Sequence, residues 1–151
     1  METTANRNTS TLLHLSALGQ YFFPLGGIIF PTIIWSFKKH ESEFVDHNGK
    51  QAVNFQLSLF LYSFLLAIIA IPVFIYRLFS SVNFSISGNN EDWIIENFSM
   101  GKISGLVLIG AIAIGLVALM KVAELVLIIY AAVKSNNGEH YKFPLTINFI
   151  K

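Results

Sequence analysis

The sequence predicts an all-α integral membrane protein with three transmembrane helices, the first kinked or re-entrant at Pro24–Gly27. Three observations predict it. Of 151 residues, 54% are apolar or aromatic and 13% are charged, about half the charged share of an ordinary soluble domain. Three runs carry no Asp, Glu, Lys or Arg: Asn8–Phe37, Gln51–Tyr76 and Ile103–Met120. A helix needs roughly 20 apolar residues to cross a bilayer, with a lower limit near 17, so each run can span. The mean hydropathy of the whole chain is +0.59, too high for a soluble domain of this length.

Residues 1–10, "METTANRNTS", are polar and read as a disordered amino-terminal tail, ahead of a single helical membrane domain over residues 11–151. No small-residue cleavage motif follows the first apolar stretch, so an uncleaved span is expected rather than a signal peptide. That stretch, about Thr11 to Phe37, is interrupted by Pro24, Gly26, Gly27 and Pro31. One kinked crossing is the first expectation, and two half-helices dipping in and out are the other.

The second span is expected from about Gln51 to Tyr76, with Asn48 and Gly49 as a turn signal ahead of it. A connector rich in Ser, Asn and Gly follows over about residues 77–102. Its "EDWIIENF" stretch reads as a short interfacial segment anchored by Trp93. The third span is expected from about Ile103 to Val133, interrupted only by Lys121 and Glu124. Asn136, Asn137 and Gly138 end it, and Pro144 stops it from resuming.

Lys and Arg set the orientation. Lys38, Lys39, Lys50, Lys134, Lys142 and Lys151 fall on one side of this three-span layout, and Arg7, Arg77 and Lys102 on the other. The bias places the first loop and the carboxyl terminus in the cytoplasm, with the amino terminus outside.

Two sets of polar residues inside the spans are the candidate functional positions. On a helix at 100° per residue, His47, Gln51, Asn54, Ser58 and Tyr62 fall within about 80° of one another. Unpaired amides in hydrocarbon are costly, so this stripe is expected to face protein, as inter-helix hydrogen bonding or as the wall of a polar path. Lys121 and Glu124, three apart on one helix, are close enough to pair. The apolar "LVLIIYAAV" after Glu124 favours placing that pair at depth, as a structural ion pair or as part of a conducting path.

Chemistry finds little footing. There is no cysteine, so disulfides, iron–sulfur clusters and thiolate metal sites are excluded. His40, Glu41, Glu43, Asp46 and His47 lack metal-ligand spacing, and His14 reads as a packing residue. Ser36 with Lys39 and Ser99 with Lys102 match Ser-x-x-Lys without the companion motifs of a hydrolase. No catalytic residue, cofactor or metal is assigned, and a net charge of +1 gives no case for nucleic acid. Ala111, Gly115 and Ala118 form a small-residue stripe of the kind that lets helices approach closely, within the chain or between copies.

Clustered motifs add a resemblance. His-Leu-Ser-Ala-Leu stands at His14–Leu18, Pro-x-Gly-x-Ile at Pro24–Ile28, and Trp35 precedes Lys38 and Lys39. Phe44–Asp46, Gly49–Lys50, Asn54–Gln56 and the Asn-Gly-Glu-x-Tyr-x-x-Pro of Asn137–Pro144 follow in order. With these the chain resembles the Tic-twenty-like small bacterial membrane protein family (domain of unknown function 4870). The resemblance implies a helical membrane protein and supplies no catalytic residue. Its namesake's proposed role in protein translocation makes a conducting role the alternative. The leading expectation is a non-catalytic accessory or scaffold protein, acting through helix packing with itself or a larger membrane complex. The alternative is a small channel or translocation component lined by Gln51, Asn54, Ser58 and Lys121.

Overall fold

The computed structural model describes residues 2–81 and 100–151. The chain is all-α over these residues. Its helices are α1 (Thr4–Ser16), α2 (Gly26–Lys38), α3 (Glu43–Ser81) and α4 (Met100–Asn136), with a 3-10 turn at Ala17–Tyr21. The connector segment around Trp93, read above as interfacial, lies outside the described residues.

The first apolar stretch is not one span. Thr3 caps α1 by accepting from the Asn6 amide at 3.2 Å, so residues 4–10, read above as a tail, belong to a helix. Its buried side is Ser10, Leu13 and His14. The helix tightens into the 3-10 turn and then reverses at Phe22–Leu25, where Leu25 takes a left-handed φ of 65°. The return is close. A methyl group on Gly26 would come within 2.5 Å of the Gly19 carbonyl oxygen, and one on Gly27 within 3.0 Å of that of Ala17. At 13 residues each, α1 and α2 are about 20 Å long, short of the roughly 30 Å hydrocarbon core. Among the described residues two helices are long and apolar enough to cross a membrane, Glu43–Tyr76 and Val107–Asn136, where three spans were expected. Only 6% and 11% of their apolar windows are buried, which separates them from the core helices of a soluble protein.

α3 starts earlier than the Asn48–Gly49 signal suggests. Ser42 Oγ accepts from the Val45 amide at 3.1 Å, and Glu43 and Asp46 occupy the first turn, where carboxylates suit the helix dipole. Asn48 turns its side chain inward and donates to the Phe44 carbonyl at 2.9 Å. Gly49 is needed because the Trp35 ring lies where its Cβ would be. That ring is held by Nε1 donating to Asp46 at 2.9 Å, and Lys50 pairs with the same carboxylate at 2.6 Å.

α4 ends in a Schellman motif. Gly138, at φ 80°, donates to Ser135, and Glu139 donates to Lys134. The Arg7 side chain lies against Gly138, and His140 packs on Phe44 and His47. The amino terminus, the start of α3 and the carboxyl-terminal segment thus gather at one end. The expected placement of the amino terminus opposite the first loop rested on three spans. Here α1 and α2 form a returning pair, the other expectation for this stretch, and the amino terminus lies beside the start of α3.

By contacts the chain divides into residues 1–63 with 121–151, and residues 64–120. The first unit is built around Ala17, Phe55, Ile128, Ala131 and Phe143. The second consists of the remaining parts of α3 and α4, and presents Ile69, Tyr76, Val107, Ile114 and Leu119 outward.

Candidate functional site

The first unit is layered. Glu124, on the inner side of α4, is a buried carboxylate, 2% exposed. Three donors converge on it: Gln20 Nε2 at 2.6 Å, Gln56 Nε2 at 3.0 Å and Lys121 Nζ at 2.9 Å. Lys121 also donates to Gln20 Oε1 at 2.9 Å. A buried carboxylate requires this much compensation, because an ion stripped of water is stable only when paired and fully hydrogen-bonded. The Gln20 side of the cluster depends on the chain reversal at Leu25, and a side chain on Gly27 would press within 2.8 Å of Gln56 Oε1. Lys121 is half exposed, at the edge of a cavity of about 140 Å³ that Leu25, Ile28, Leu59 and Phe60 also line.

A second polar layer lies nearer the gathered termini. His14 Nε2 and Ser135 Oγ both donate to Asn48 Oδ1, at 3.2 and 3.0 Å. Asn48 Oδ1 can only accept, which fixes the proton of the neutral imidazole on Nε2. Burial pushes the His14 pKa from 6.5 down to about 4, against the opposing pull of the Asn48 bond. Between the two polar layers stand Ala17, Phe55, Ile128, Ala131 and Phe143. Glu124, Ile128, Ala131 and Ser135 follow one another at helical spacing along α4, so one helix face carries all three layers.

The polar stripe of α3 has a different partner from those the sequence suggests. It faces the extended carboxyl-terminal segment. Gln51 Oε1 accepts from the Phe143 amide at 3.4 Å, and Asn54 both donates to and accepts from the Ile150 backbone at 2.9 Å. Ser58 Oγ accepts from the Ile147 amide at 2.8 Å, and Tyr62 donates to the Leu145 carbonyl at 2.8 Å. His47 sits at the start of the row, with its ring 4.7 Å from that of His140. The segment runs along α3, reverses at Pro144–Leu145, where Leu145 has φ 56°, and comes back. Its one buried side chain, Phe143, stacks on Phe55 at 4.1 Å and meets His14 edge-on.

Of the expected positions, Lys121 and Glu124 are brought together, and His47, Gln51, Asn54, Ser58 and Tyr62 form a separate row. Gln20 and Gln56 complete the ion-pair cluster and were not singled out by spacing. The signal for Gln20 is a lone amide in the otherwise apolar run "ALGQYFF", and that for Gln56 is an amide standing off the polar stripe, on the opposite face of α3. Glu43, Asp46, His47, Lys50, Gln51 and Lys151 border a cavity of about 410 Å³ at the polar end. Among the described residues no three of His, Cys, Asp and Glu converge as a metal site would require.

Comparison with curated proteins and with solved structures gives no match. A family comparison does: residues 5–150 match the magnetosome magnetite crystal formation protein family, MamF/MmsF. This overturns the Tic-twenty-like assignment. The motifs behind that resemblance occupy packing positions, with His14 on Asn48, Gly26 against Gly19, Gly49 under Trp35 and Asn54 on Ile150. Residues that build a fold's interior do not by themselves distinguish what its members do. The match takes in nearly the whole chain, and the protein belongs to the magnetosome magnetite crystal formation family.

Proposed function

We propose that this protein is a non-catalytic membrane component of magnetite crystal formation that acts by helix packing with a second copy or with a larger membrane assembly. One observation carries the reading. Glu124, Gln20, Gln56 and the polar row of α3 are bonded within the chain, whereas Ala111, Gly115 and Ala118 share one exposed face of α4, and among the described residues nothing outside the helix lies within 4 Å of a Cβ built on Gly115. Small residues on an open apolar helix allow another helix to come close, and dispersion contacts then hold the pair in lipid. The conducting alternative finds less support, since Glu124, Gln20, Gln56 and Lys121 bond to one another and an apolar layer lies beside them.

In this reading α3 and α4 span, and the gathered termini lie in the cytoplasm. Moving Arg7 to that side raises the Lys/Arg bias to seven against two, with Lys121 inside the span. Crosslinking in native membranes, gentle detergent extraction and mass spectrometry test the proposal. A defined assembly that Gly115→Leu disrupts is expected. A monomer in membranes, with ion flux in proteoliposomes above that of protein-free vesicles, would replace this reading with the channel.

A further inference from the structure

We propose that the carboxyl-terminal segment is a re-entrant loop whose tip, Pro144–Ile147, lies among lipid acyl chains beside α3. The inference rests on α3 and α4 spanning the bilayer, and goes beyond it. The contacts of the segment with α3 extend from Gln51 to Tyr62, about 16 Å along the helix axis. Over that length it has no secondary structure to satisfy its backbone, and the side chains of α3 do so instead. Four residues of α3 bond to the backbone at Phe143, Leu145, Ile147 and Ile150, and Pro144 at the tip has no N–H to satisfy. Non-helical backbone is tolerated at membrane depth only under such cover by protein.

The side chains point to the same partner. Leu145 is 87% exposed, and Ile147 and Phe149 are 40% and 49% exposed, facing away from the core. Exposed apolar side chains also mark the helices of the same unit, at Phe60 of α3 and at Val122, Val126 and Ile129 of α4. The two feet of the loop are polar. Lys142 and Glu139 stand at the entering end, and Asn148 and Lys151 border the water-facing cavity at the other. Polar feet and an apolar tip are what a loop dipping into one leaflet requires, and an aqueous tail would have no use for either the row of α3 side chains or the exposed Leu145.

The chain has no native cysteine, so single spin labels can be placed on the full-length protein in liposomes. Labels at Leu145→Cys, Lys142→Cys and Val126→Cys would be compared by collision with oxygen, which concentrates in lipid, and with a water-soluble nickel chelate. The label at 145 is expected to match that at 126, with nickel collisions several-fold below those at 142. Adding Asn54→Leu and Ser58→Ala should release the tip and raise nickel collisions at 145. A lipid-like 126 with a 145 as accessible to nickel as 142 would overturn the loop alone. An aqueous 126 would overturn the spanning arrangement and the loop with it. No change at 145 on loss of Asn54 and Ser58 would overturn their part in holding it.

Discussion

Replacing Lys121 with Met tests the deep polar layer directly. Glu124 is 2% exposed, so its charge has no recourse to water, and the substitution leaves it with Gln20 and Gln56 as donors. Removing one member of a fully buried pair destabilises by about 3–5 kcal/mol. Lys121 is 48% exposed, which weakens its share of the attraction, and two amides continue to hold the carboxylate. A lone charge at the centre of a spanning helix is unfavourable by about 2.5–3.5 kcal/mol on insertion scales, and the expected loss is about 2–3 kcal/mol. Adding Glu124→Gln removes the charge while keeping an oxygen for both glutamines. The double variant should return to within about 1 kcal/mol of the native protein, in line with the small net worth of a neutral hydrogen bond. Reversible unfolding in detergent micelles or bicelles, followed by circular dichroism against added denaturing detergent, reads both values. If Lys121→Met is silent, the carboxylate is already hydrated and the layer is not at depth. If the double variant is as damaged as the single one, the lysine acts by packing and the ion-pair argument fails.

Three further outcomes follow from the same geometry. His14 has its pKa depressed from 6.5 to about 4, so its contribution to stability is complete above pH 6.5 and is lost as pH falls toward 4. The loss is on the order of 3 kcal/mol, it should level off below pH 4, and a detergent melting series with a His14→Gln control checks it. Gly26→Ala should destabilise by about 1–3 kcal/mol because the Gly19 carbonyl occupies the space of the new methyl, whereas Gly115→Ala should leave the isolated chain unchanged. Single cysteines at Thr3 and Ser42 should react with an impermeant thiol reagent from one side of the membrane and one at Ser87 from the other. Labelling of Thr3 from the side of Ser87 would restore a first spanning segment.

The helical class and both long apolar helices are legible in the sequence because charge-free runs of that length leave few alternatives. The pairing of Lys121 with Glu124 is legible too, since three residues on a helix bring two side chains together whatever surrounds them. The contribution of Gln20 is not. It depends on Leu25 adopting a left-handed conformation that leucine seldom takes, and the punctuation at Pro24, Gly26 and Gly27 marks a break without giving its angle. The start of α3 was obscured for a related reason. Asn48–Gly49 is a turn signal on local grounds, but here the asparagine is a buried hydrogen-bonding residue and the glycine makes room for Trp35. The stripe on α3 could be read as a face seeking partners, while their identity could not. An amide side chain bonds equally well to another helix or to an extended backbone, and nothing in the spacing of Gln51, Asn54, Ser58 and Tyr62 distinguishes them.

The dependence of α3 on residues 143–150 imposes an order on biogenesis. α3 emerges from the ribosome long before the carboxyl-terminal segment that its side chains hold. During that interval Gln51, Asn54, Ser58 and Tyr62 lack their final partners, at a stage when the helix is expected to enter the membrane. Emergence of residues 143–150 is therefore a maturation step, in which a later segment covers a surface made earlier. Until then the insertion machinery, or water admitted beside it, must shelter that face. A nascent chain stalled near Asn136 would carry both apolar helices and still be an unfinished client, open to quality control at the one face it cannot close.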